Sequence, residues 1–327
     1  MAHRQRWYVT QVVFEVTIRT LGGKFWLRPD AACKAIIEGV FGKALQHYDG
    51  IQLHAYDAES NHVHYLASAT DPAQLPLFLD FVHGNIARQI NALRRRRGTF
   101  WSRRGAVIAV LDPKAQVARL RYLLAQGPAA GLVCSPTQWP GASSTRALLD
   151  DLRVPASYVS LDKQRRNAAL SDPRPVAELA EDVSFDLTPL PAWADLTPDA
   201  RRAKVAALID DIETQHKGKA FLGARAVRTQ SPHRTPKHSK RSPMPRCHAS
   251  TAAGYRRYTA AYRDFRTTYL RAADRLRHDP AASRTEIHRL YPPGSLARPG
   301  WYIPTPANFQ LPWQVGASDA DKFAVAT

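Results

Sequence analysis

The order of hydrophobic periods along the first 126 residues restricts the possible folds more than any other feature of this chain. An apolar residue at every second position indicates a strand with one buried face. Apolar residues three and four positions apart indicate an amphipathic helix. By these patterns the predicted strands cover 8–18, 50–57, 62–69 and 105–112, and the predicted helices cover 28–48, 75–97 and 113–126.

The resulting order is strand, helix, strand, strand, helix, strand, helix. It predicts an α+β fold, a ferredoxin-like antiparallel sheet with helices on one face and one extra helix. We place this domain at residues 1–154 and treat 155–327 as a basic C-terminal extension. In the extension we predict helices near 198–215 and 251–277. The stretch 228–246 is rich in Pro, Ser and basic residues and is predicted to be flexible.

The charge of the chain points to a polyanionic partner. Its 46 Lys and Arg outnumber its 28 Asp and Glu, giving a net charge of +18. Such an excess favours nucleic acid first and an acidic membrane surface second. No apolar run is long enough for a membrane span, so we expect no membrane partner. Three widely separated cysteines fit a reduced, cytoplasmic protein.

Two histidines in the predicted strand 62–69 form the first candidate site. Side chains two apart on a strand face the same way, so His62 and His64 project together while Val63 points into the core. Two imidazoles on one face suit a divalent metal with open positions for substrate oxygens. Surface histidines can also alternate by chance, and this chain has twelve.

The helix predicted at 113–126 adds two candidates. Tyr122 and Gln126 are four apart, so they lie one above the other, away from the buried stripe that includes Leu124. A tyrosine placed there is free to act on a ligand, and the glutamine can offer an amide oxygen to the same metal. Taken without the histidines, Tyr122 is an ordinary half-exposed tyrosine.

These segments resemble a known enzyme family. "LHAYDAESNHVHYL", then "RYLLAQGPAAGLV" and "QWPGASS", is similar to the REP-associated tyrosine transposases, which belong to the single-tyrosine HUH endonucleases. The resemblance covers about residues 7–150. It implies that His62, His64 and Gln126 bind a divalent metal, Mg²⁺ or Mn²⁺, and that Tyr122 is the nucleophile. It also implies that "GTFWSRRG" brings Trp101 and Arg104 near the DNA.

The resemblance implies a metal-dependent endonuclease and strand transferase acting on single-stranded or hairpin DNA in a bacterial cytoplasm, in association with the nucleoid. The tyrosine would keep the 5′ phosphate, and a 3′-hydroxyl would leave. Related enzymes can share the tyrosine helix between subunits, so both a monomer and a homodimer are compatible with the sequence. Two alternatives remain: a non-catalytic single-stranded nucleic-acid-binding protein adopted by its host, and a phosphodiesterase that uses a metal-bound water.

Basic residues around the candidate site are predicted to contact DNA. An arginine run followed by an aromatic residue is either a solvated helix end or a phosphate-binding edge with a ring that can stack on a base. We favour DNA contact because of the net charge. The predicted DNA-binding residues are Arg94, Arg95, Arg96, Arg97, Trp101, Arg103, Arg104 and Arg119.

An aromatic stripe marks the helix predicted at 251–277. Its members recur three and four apart, which indicates a packing face more often than a base-stacking platform. The arginines between them could still follow a nucleic-acid backbone. The stripe consists of Tyr255, Tyr258, Tyr262, Phe265 and Tyr269, and the arginines are Arg256, Arg257, Arg263 and Arg266.

Overall fold

The structure is a computed structural model of the 327-residue chain. It describes residues 4–150, 152–236, 244–279, 283–298, 301–306, 309–311 and 313. Part of the stretch 228–246, namely 237–243, lies outside the described residues. In the part of the chain that is described, no helix is both long and apolar enough to cross a bilayer.

A five-stranded sheet forms the centre of the molecule. Its order is β2-β3-β1-β4-β9, antiparallel except for the parallel pair β4–β9. The sheet strands are β1 Val13–Arg19, β2 Ile51–Glu59, β3 His62–Ala69, β4 Ala106–Val110 and β9 Cys247–His248. Three two-stranded sheets add β5 Arg153–Val154 with β8 Phe185–Asp186, β6 Ser157–Tyr158 with β7 Glu181–Asp182, and β10 Leu296–Arg298 with β11 Trp301–Tyr302.

Helices cover both faces of the central sheet. The α-helices are α1 Ala31–His47, α2 Gln74–Leu93, α3 Pro113–Leu124, α4 Gln126–Ala129, α5 Thr145–Leu149, α6 Leu161–Ala168, α7 Pro198–His216, α8 Ala224–Thr229, α9 Ala252–His278 and α10 Arg284–Leu290. Tyr65 of β3 packs against Phe41 of α1 and Phe78 of α2, which fixes these two helices on one face. The neighbouring His64 packs against Tyr122 of α3, so α3 lies on the opposite face.

The predicted fold class is confirmed: the structure is α+β, with the first four strands in the order of a ferredoxin-like sheet. The start of the first strand was predicted wrongly. The strand begins at Val13 and not at residue 8, because the backbone of Gln11 has a φ of 62° and turns the chain out of extended conformation. The predicted extension helices are observed at Pro198–His216 and Ala252–His278.

The C-terminal extension packs directly on the N-terminal sheet and helices. On α1, a side chain at Gly39 would collide with the Ser157 carbonyl, and one at Gly42 with the Val183 carbonyl. Glycine at both positions therefore allows the backbone of the extension to approach the helix closely. Strand β9 of the extension continues the central sheet beside β4. One hydrophobic cluster contains residues from both sides of the predicted boundary between residues 154 and 155. The domain boundary itself stays a prediction.

The aromatic stripe of α9 is a packing face. Tyr258, Tyr262 and Phe265 are buried, and the Phe265 ring stacks on Trp7 with centroids 4.8 Å apart. Trp7 precedes the first strand, so this contact joins the N-terminal segment to α9 of the extension. Tyr255, at the start of the stripe, is exposed.

Candidate active site

Strand β3 carries the histidine pair on the sheet face that α3 covers. His62 is half-buried and His64 is 2% exposed, while Val63 between them points into the opposite layer. The strand register sets their neighbours. Thr17 of β1 lies opposite His64, and Arg19 lies opposite His62. The shared orientation expected from their spacing is therefore present.

Helix α3 brings Tyr122 onto this face. Asp112 caps the helix by accepting a hydrogen bond from the Ala115 amide at 2.9 Å. The Tyr122 ring lies edge-on to the His64 ring, with centroids 5.7 Å apart. The side chain is 50% exposed, so its hydroxyl is open to a ligand. Arg119, one turn earlier, places its guanidinium carbon 3.9 Å from the centre of the Tyr122 ring.

Gln126 lies beside Tyr122 and His62, just beyond the end of α3. Its side-chain amide nitrogen donates to the Tyr122 carbonyl at 3.2 Å, and its side chain also hydrogen-bonds His62. The four residues proposed for chemistry, His62, His64, Tyr122 and Gln126, thus lie side by side. Helix α3 ends at Leu124, two residues earlier than predicted, and Gln126 begins the short helix α4.

His62 is held in the neutral form that metal ligation requires. Desolvation of the crowded ring, together with the positive charge of Arg19 and the neighbouring His64, lowers the pKa of His62 to about 3. Its Nδ1 lies 2.8 Å from the side-chain oxygen of Asn61. Since an amide oxygen only accepts, Nδ1 carries the proton and Nε2 keeps its lone pair.

A buried glutamate, which sequence reasoning did not select, lies beneath the site. Glu15 of β1 is 4% exposed. Its Oε1 lies 2.5 Å from His64 Nε2 and 2.5 Å from Arg119 Nη2. Its Oε2 pairs with His248 of β9. Burial acts to raise the pKa of Glu15, but the bonds with His248 and His64 and the charge of Arg119 hold that pKa well below its usual range.

Arg119 Nη2 donates a hydrogen bond to Glu15 Oε1, whereas the two histidine contacts of Glu15 are close but poorly aligned. Glu15 Oε2, His64 Nε2 and His248 Nε2 are all buried without a well-oriented hydrogen bond to a described residue. The charge-assisted hydrogen bond from Arg119 is therefore the best-oriented contact of Glu15. The only sequence signal for Glu15 was an acidic residue in an otherwise apolar strand. No pattern in the sequence pointed to His248.

Two further carboxyl groups lie on β2 beside the histidine pair. Asp57 is opposite His64 and Glu59 is opposite His62. Burial raises the pKa of both groups, and a hydrogen bond joins them. The pair therefore holds a proton at neutral pH and adds less negative charge near the histidines than two carboxylates would.

Two of the four arginines in the run 94–97 have structural roles. Arg94 pairs with Asp30 at 2.7 Å and donates to the Trp26 carbonyl at 3.1 Å. The Arg96 guanidinium stacks on the Trp26 ring at 3.4 Å. Arg95 and Arg97 are exposed. The structure thus separates the predicted DNA-binding run into two inward and two outward side chains.

Side chains of the "GTFWSRRG" segment likewise differ in whether they bond within the protein or face solvent. Trp101 is half-buried, and its indole nitrogen donates to the His83 carbonyl at 2.9 Å, so its ring is only partly open for stacking. Arg104 hydrogen-bonds Tyr8. Arg103 is exposed, and the Ser102 amide bonds the Arg19 carbonyl at 2.9 Å. This bond places Arg103 at the end of the sheet that carries His62.

The donor set, two imidazoles and one amide oxygen, fits a divalent cation that accepts both nitrogen and oxygen ligands. The ring of His62 is neutral with its proton on Nδ1, and the Gln126 side chain contacts the same ring. Across the described residues, no group of three or more His, Cys, Asp or Glu side chains is arranged around a metal position. A metal here would therefore rest on a sparse set of protein ligands and bind more openly than in an all-protein cage.

Comparison with known proteins gives weak similarity only. No family model matches the chain, and no curated protein matches it. One solved structure, a REP-associated tyrosine transposase bound to a REP hairpin, is 15% identical with a TM-score of 0.36, over 59% of this chain and 96% of that chain. A candidate transposase from Deinococcus radiodurans R1 is 19% identical with a TM-score of 0.26, over 36% of this chain and 95% of that one. Similarity at this level does not establish membership of a family.

Proposed function

We propose that this protein is a metal-dependent single-stranded DNA endonuclease and strand transferase that uses Tyr122 as its nucleophile. The observation that carries the proposal is the position of Tyr122. Its half-exposed ring lies 5.7 Å from the His64 ring, on the face that presents both histidines. A protein that only binds nucleic acid has no need for this combination.

His62, His64 and Gln126 would hold the divalent metal, Mg²⁺ or Mn²⁺. When bound, such an ion polarises a non-bridging oxygen of the scissile phosphate and offsets its charge. The protein contributes the orientation of these ligands. Asn61 fixes the proton of His62 on Nδ1, and Glu15 holds the Nε2 edge of His64.

Tyr122 supplies the attacking atom. Its hydroxyl oxygen loses its proton to solvent and forms a bond to phosphorus, while the bond from phosphorus to the 3′ oxygen breaks and the departing 3′ oxygen takes a proton from solvent. The 5′ phosphate stays on the tyrosine. Another 3′-hydroxyl can then attack this phosphotyrosine and displace Tyr122, which joins strands without a nucleotide cofactor.

Cations beside Tyr122 favour a phosphate at this position. Arg119 lies over the ring, and Arg19 projects from the strand position opposite His62. Both are placed to attract the negative charge of a DNA backbone. The contact of Tyr122 with His64 in one chain supports a site formed within a single subunit, and a homodimer stays compatible with it.

We propose single-stranded or hairpin DNA as the substrate. A continuous duplex is too stiff to bend into a site between a helix and a sheet, while a single strand or a hairpin flank bends easily. The exposed Arg95, Arg97 and Arg103 and the net charge of +18 fit such a polyanion.

The experiment is a cleavage assay on a labelled panel of structured single strands, with Mg²⁺, with Mn²⁺ or with EDTA. The proposal predicts site-specific cleavage with either metal and none with EDTA. Undiminished cleavage in EDTA would contradict the metal role. Tight binding of the panel without any cleavage would favour the non-catalytic binding protein.

A further inference from the structure

An open cleft of about 580 Å³ lies between the N-terminal segment and helix α9, away from the histidine pair. It is lined by Arg4, Gln5, Met244, Arg246, Tyr262, Arg263, Arg266 and Leu270. Four of these eight residues are arginines, and none of the described lining residues is Asp or Glu. The charge of the described wall is therefore entirely positive, with arginine at half of its positions.

We infer that this cleft binds the phosphodiester backbone of the single-stranded part of the DNA substrate. The inference rests on the proposed function, to which it adds a second, non-catalytic contact with the same strand. Guanidinium groups suit this ligand because their planar fork of N–H donors matches two phosphate oxygens at once.

Arg4 has a mainly structural role in the wall. It donates to the Pro245 carbonyl at 2.7 Å and to the Arg246 carbonyl. Its guanidinium carbon lies 4.9 Å from the centre of the Tyr262 ring, and Tyr262 in turn donates to the Gln5 carbonyl at 2.7 Å. These bonds tie the N-terminal segment to α9 and keep the cleft open between them.

The other three arginines are available to a ligand. Arg263 and Arg266 are exposed on successive turns of α9, and Arg246 enters from the segment before β9. Within the described part of the chain, no carboxylate forms an ion pair with any of the three; the pairs involving α9 are those of Asp274 with Arg277 and His278. Several arginines that line one cleft and form no ion pair with a described carboxylate favour an anionic ligand.

The cleft recognises backbone and not bases. Its aromatic residue, Tyr262, is only 5% exposed, because the ring packs beneath Arg4 and beside Tyr258. A platform for base stacking needs an open ring face. Guanidinium groups are the only charged groups among the described residues of this wall, so binding here should depend little on DNA sequence.

The cleft is connected to the active site by one short strand. Arg246 is two residues before His248, and two residues of extended chain span at most about 7 Å. His248 contacts Glu15, which contacts His64. A DNA strand bound at Tyr122 can therefore continue around the β9 edge of the sheet to reach Arg246, Arg263 and Arg266.

The test compares two double variants of the full-length protein, Arg263→Gln/Arg266→Gln and Arg256→Gln/Arg257→Gln. Both remove two exposed arginines from α9, but only the first pair lines the cleft. Binding of a fluorescent hairpin oligonucleotide with a single-stranded flank is followed by anisotropy in EDTA over a series of salt concentrations. A second flank of scrambled sequence is measured in the same way.

The Arg263/Arg266 variant should bind both flanks more weakly. Two lost phosphate contacts should flatten its slope of log K against log salt by about 1.4, at about 0.7 per contact on a single strand. The Arg256/Arg257 control should keep the parent slope. Equal slopes for the two variants, or a parent that does not bind DNA, would overturn the inference. If the parent binds DNA but cleaves none with metal, the proposed function fails. The salt slopes of the two variants then still show whether the cleft binds the DNA backbone.

Discussion

At the scale of single residues, Glu15 connects more of the site than any catalytic candidate. Its carboxylate contacts His64 from β3, Arg119 from α3 and His248 from the C-terminal extension. A carboxylate beside the ring of a metal-binding histidine orients the ring and increases its basicity. We therefore assign Glu15 as a positioning residue of the proposed metal site.

The Glu15→Gln substitution tests this assignment, because it keeps the side-chain size and removes the charge. The metal concentration that gives half-maximal cleavage should rise about 10- to 100-fold, as is usual when the outer partner of a metal ligand is lost. Glu178→Gln, the same change at an exposed position, is the control. An unchanged metal requirement in a folded Glu15→Gln protein would show that Glu15 has only a structural role.

Sequence reasoning located those site residues that a local period can reveal. Strand alternation placed His62 and His64 on one face, and helix spacing placed Tyr122 and Gln126 together. It missed Glu15 and His248 because their roles depend on pairing between strands far apart in sequence, which no local period contains. The DNA contacts of Arg94 and Trp101 stay predictions; composition could not reveal that both side chains also bond within the protein.

At the scale of secondary-structure elements, α1 and β2 bury an ionisable pair that makes stability depend on pH. Glu38 of α1 is buried and accepts a hydrogen bond from the Tyr56 hydroxyl at 3.1 Å. Burial raises the pKa of Glu38 to about 7. Because the folded pKa is above the unfolded one, the folded state binds more protons between about pH 4.5 and 7. The stabilisation of the folded state by protonated Glu38 is fully present below about pH 4.5 and is lost as pH rises through 7.

The Glu38→Gln substitution should remove this pH dependence. Across the window from about pH 4.5 to 7, the parent should lose roughly 3 kcal/mol of unfolding free energy relative to the variant. Urea denaturation at several pH values measures the difference, and the exposed Glu213→Gln controls for a general loss of charge. A difference between Glu38→Gln and parent that stays constant with pH would contradict the protonated state of Glu38.

Long elements were predicted well because their periods span many residues, whereas short ones were not. The helices α1, α2, α7 and α9 lie where three-and-four spacing placed them. Strand β9 has two residues, Cys247 and His248, and its position is fixed by parallel pairing with Ala109 and Val110. A two-residue strand carries no period, so only the tertiary structure defines it.

At the scale of the whole molecule, the extension stabilises the sheet that carries the site. Beyond the Trp7–Phe265 stack, the Tyr8 amide donates to the Gly294 carbonyl at 2.8 Å, and the Tyr302 hydroxyl donates to the Tyr8 carbonyl at 3.1 Å. The segment before β1 is therefore enclosed by residues near the other end of the chain. The predicted extension is closely integrated with the predicted catalytic domain.

Removing residues 155–327 should consequently destabilise the remainder. The truncated chain would expose Trp7 and the face of α1 at Gly39 and Gly42, and it would lose β9 with His248. Burial of an aromatic side chain contributes about 1.5–3 kcal/mol, so several such losses approach the whole stability of a domain. We expect residues 1–154 alone to unfold without cooperativity in urea. A cooperative transition at the midpoint of the full-length protein would show that the first domain is independent.

The most direct test of the central claim is to map the covalent adduct between protein and DNA. The full-length protein is trapped on a cleavable hairpin oligonucleotide with metal and digested, and its peptides are identified by mass spectrometry. The account predicts nucleotide on Tyr122 alone, no adduct with Tyr122→Phe, and a normal adduct with Tyr255→Phe, which alters another exposed tyrosine. An adduct on a different residue, or one that persists in Tyr122→Phe, would contradict the assignment of Tyr122. Cleavage without any adduct would assign the attack to a metal-bound water.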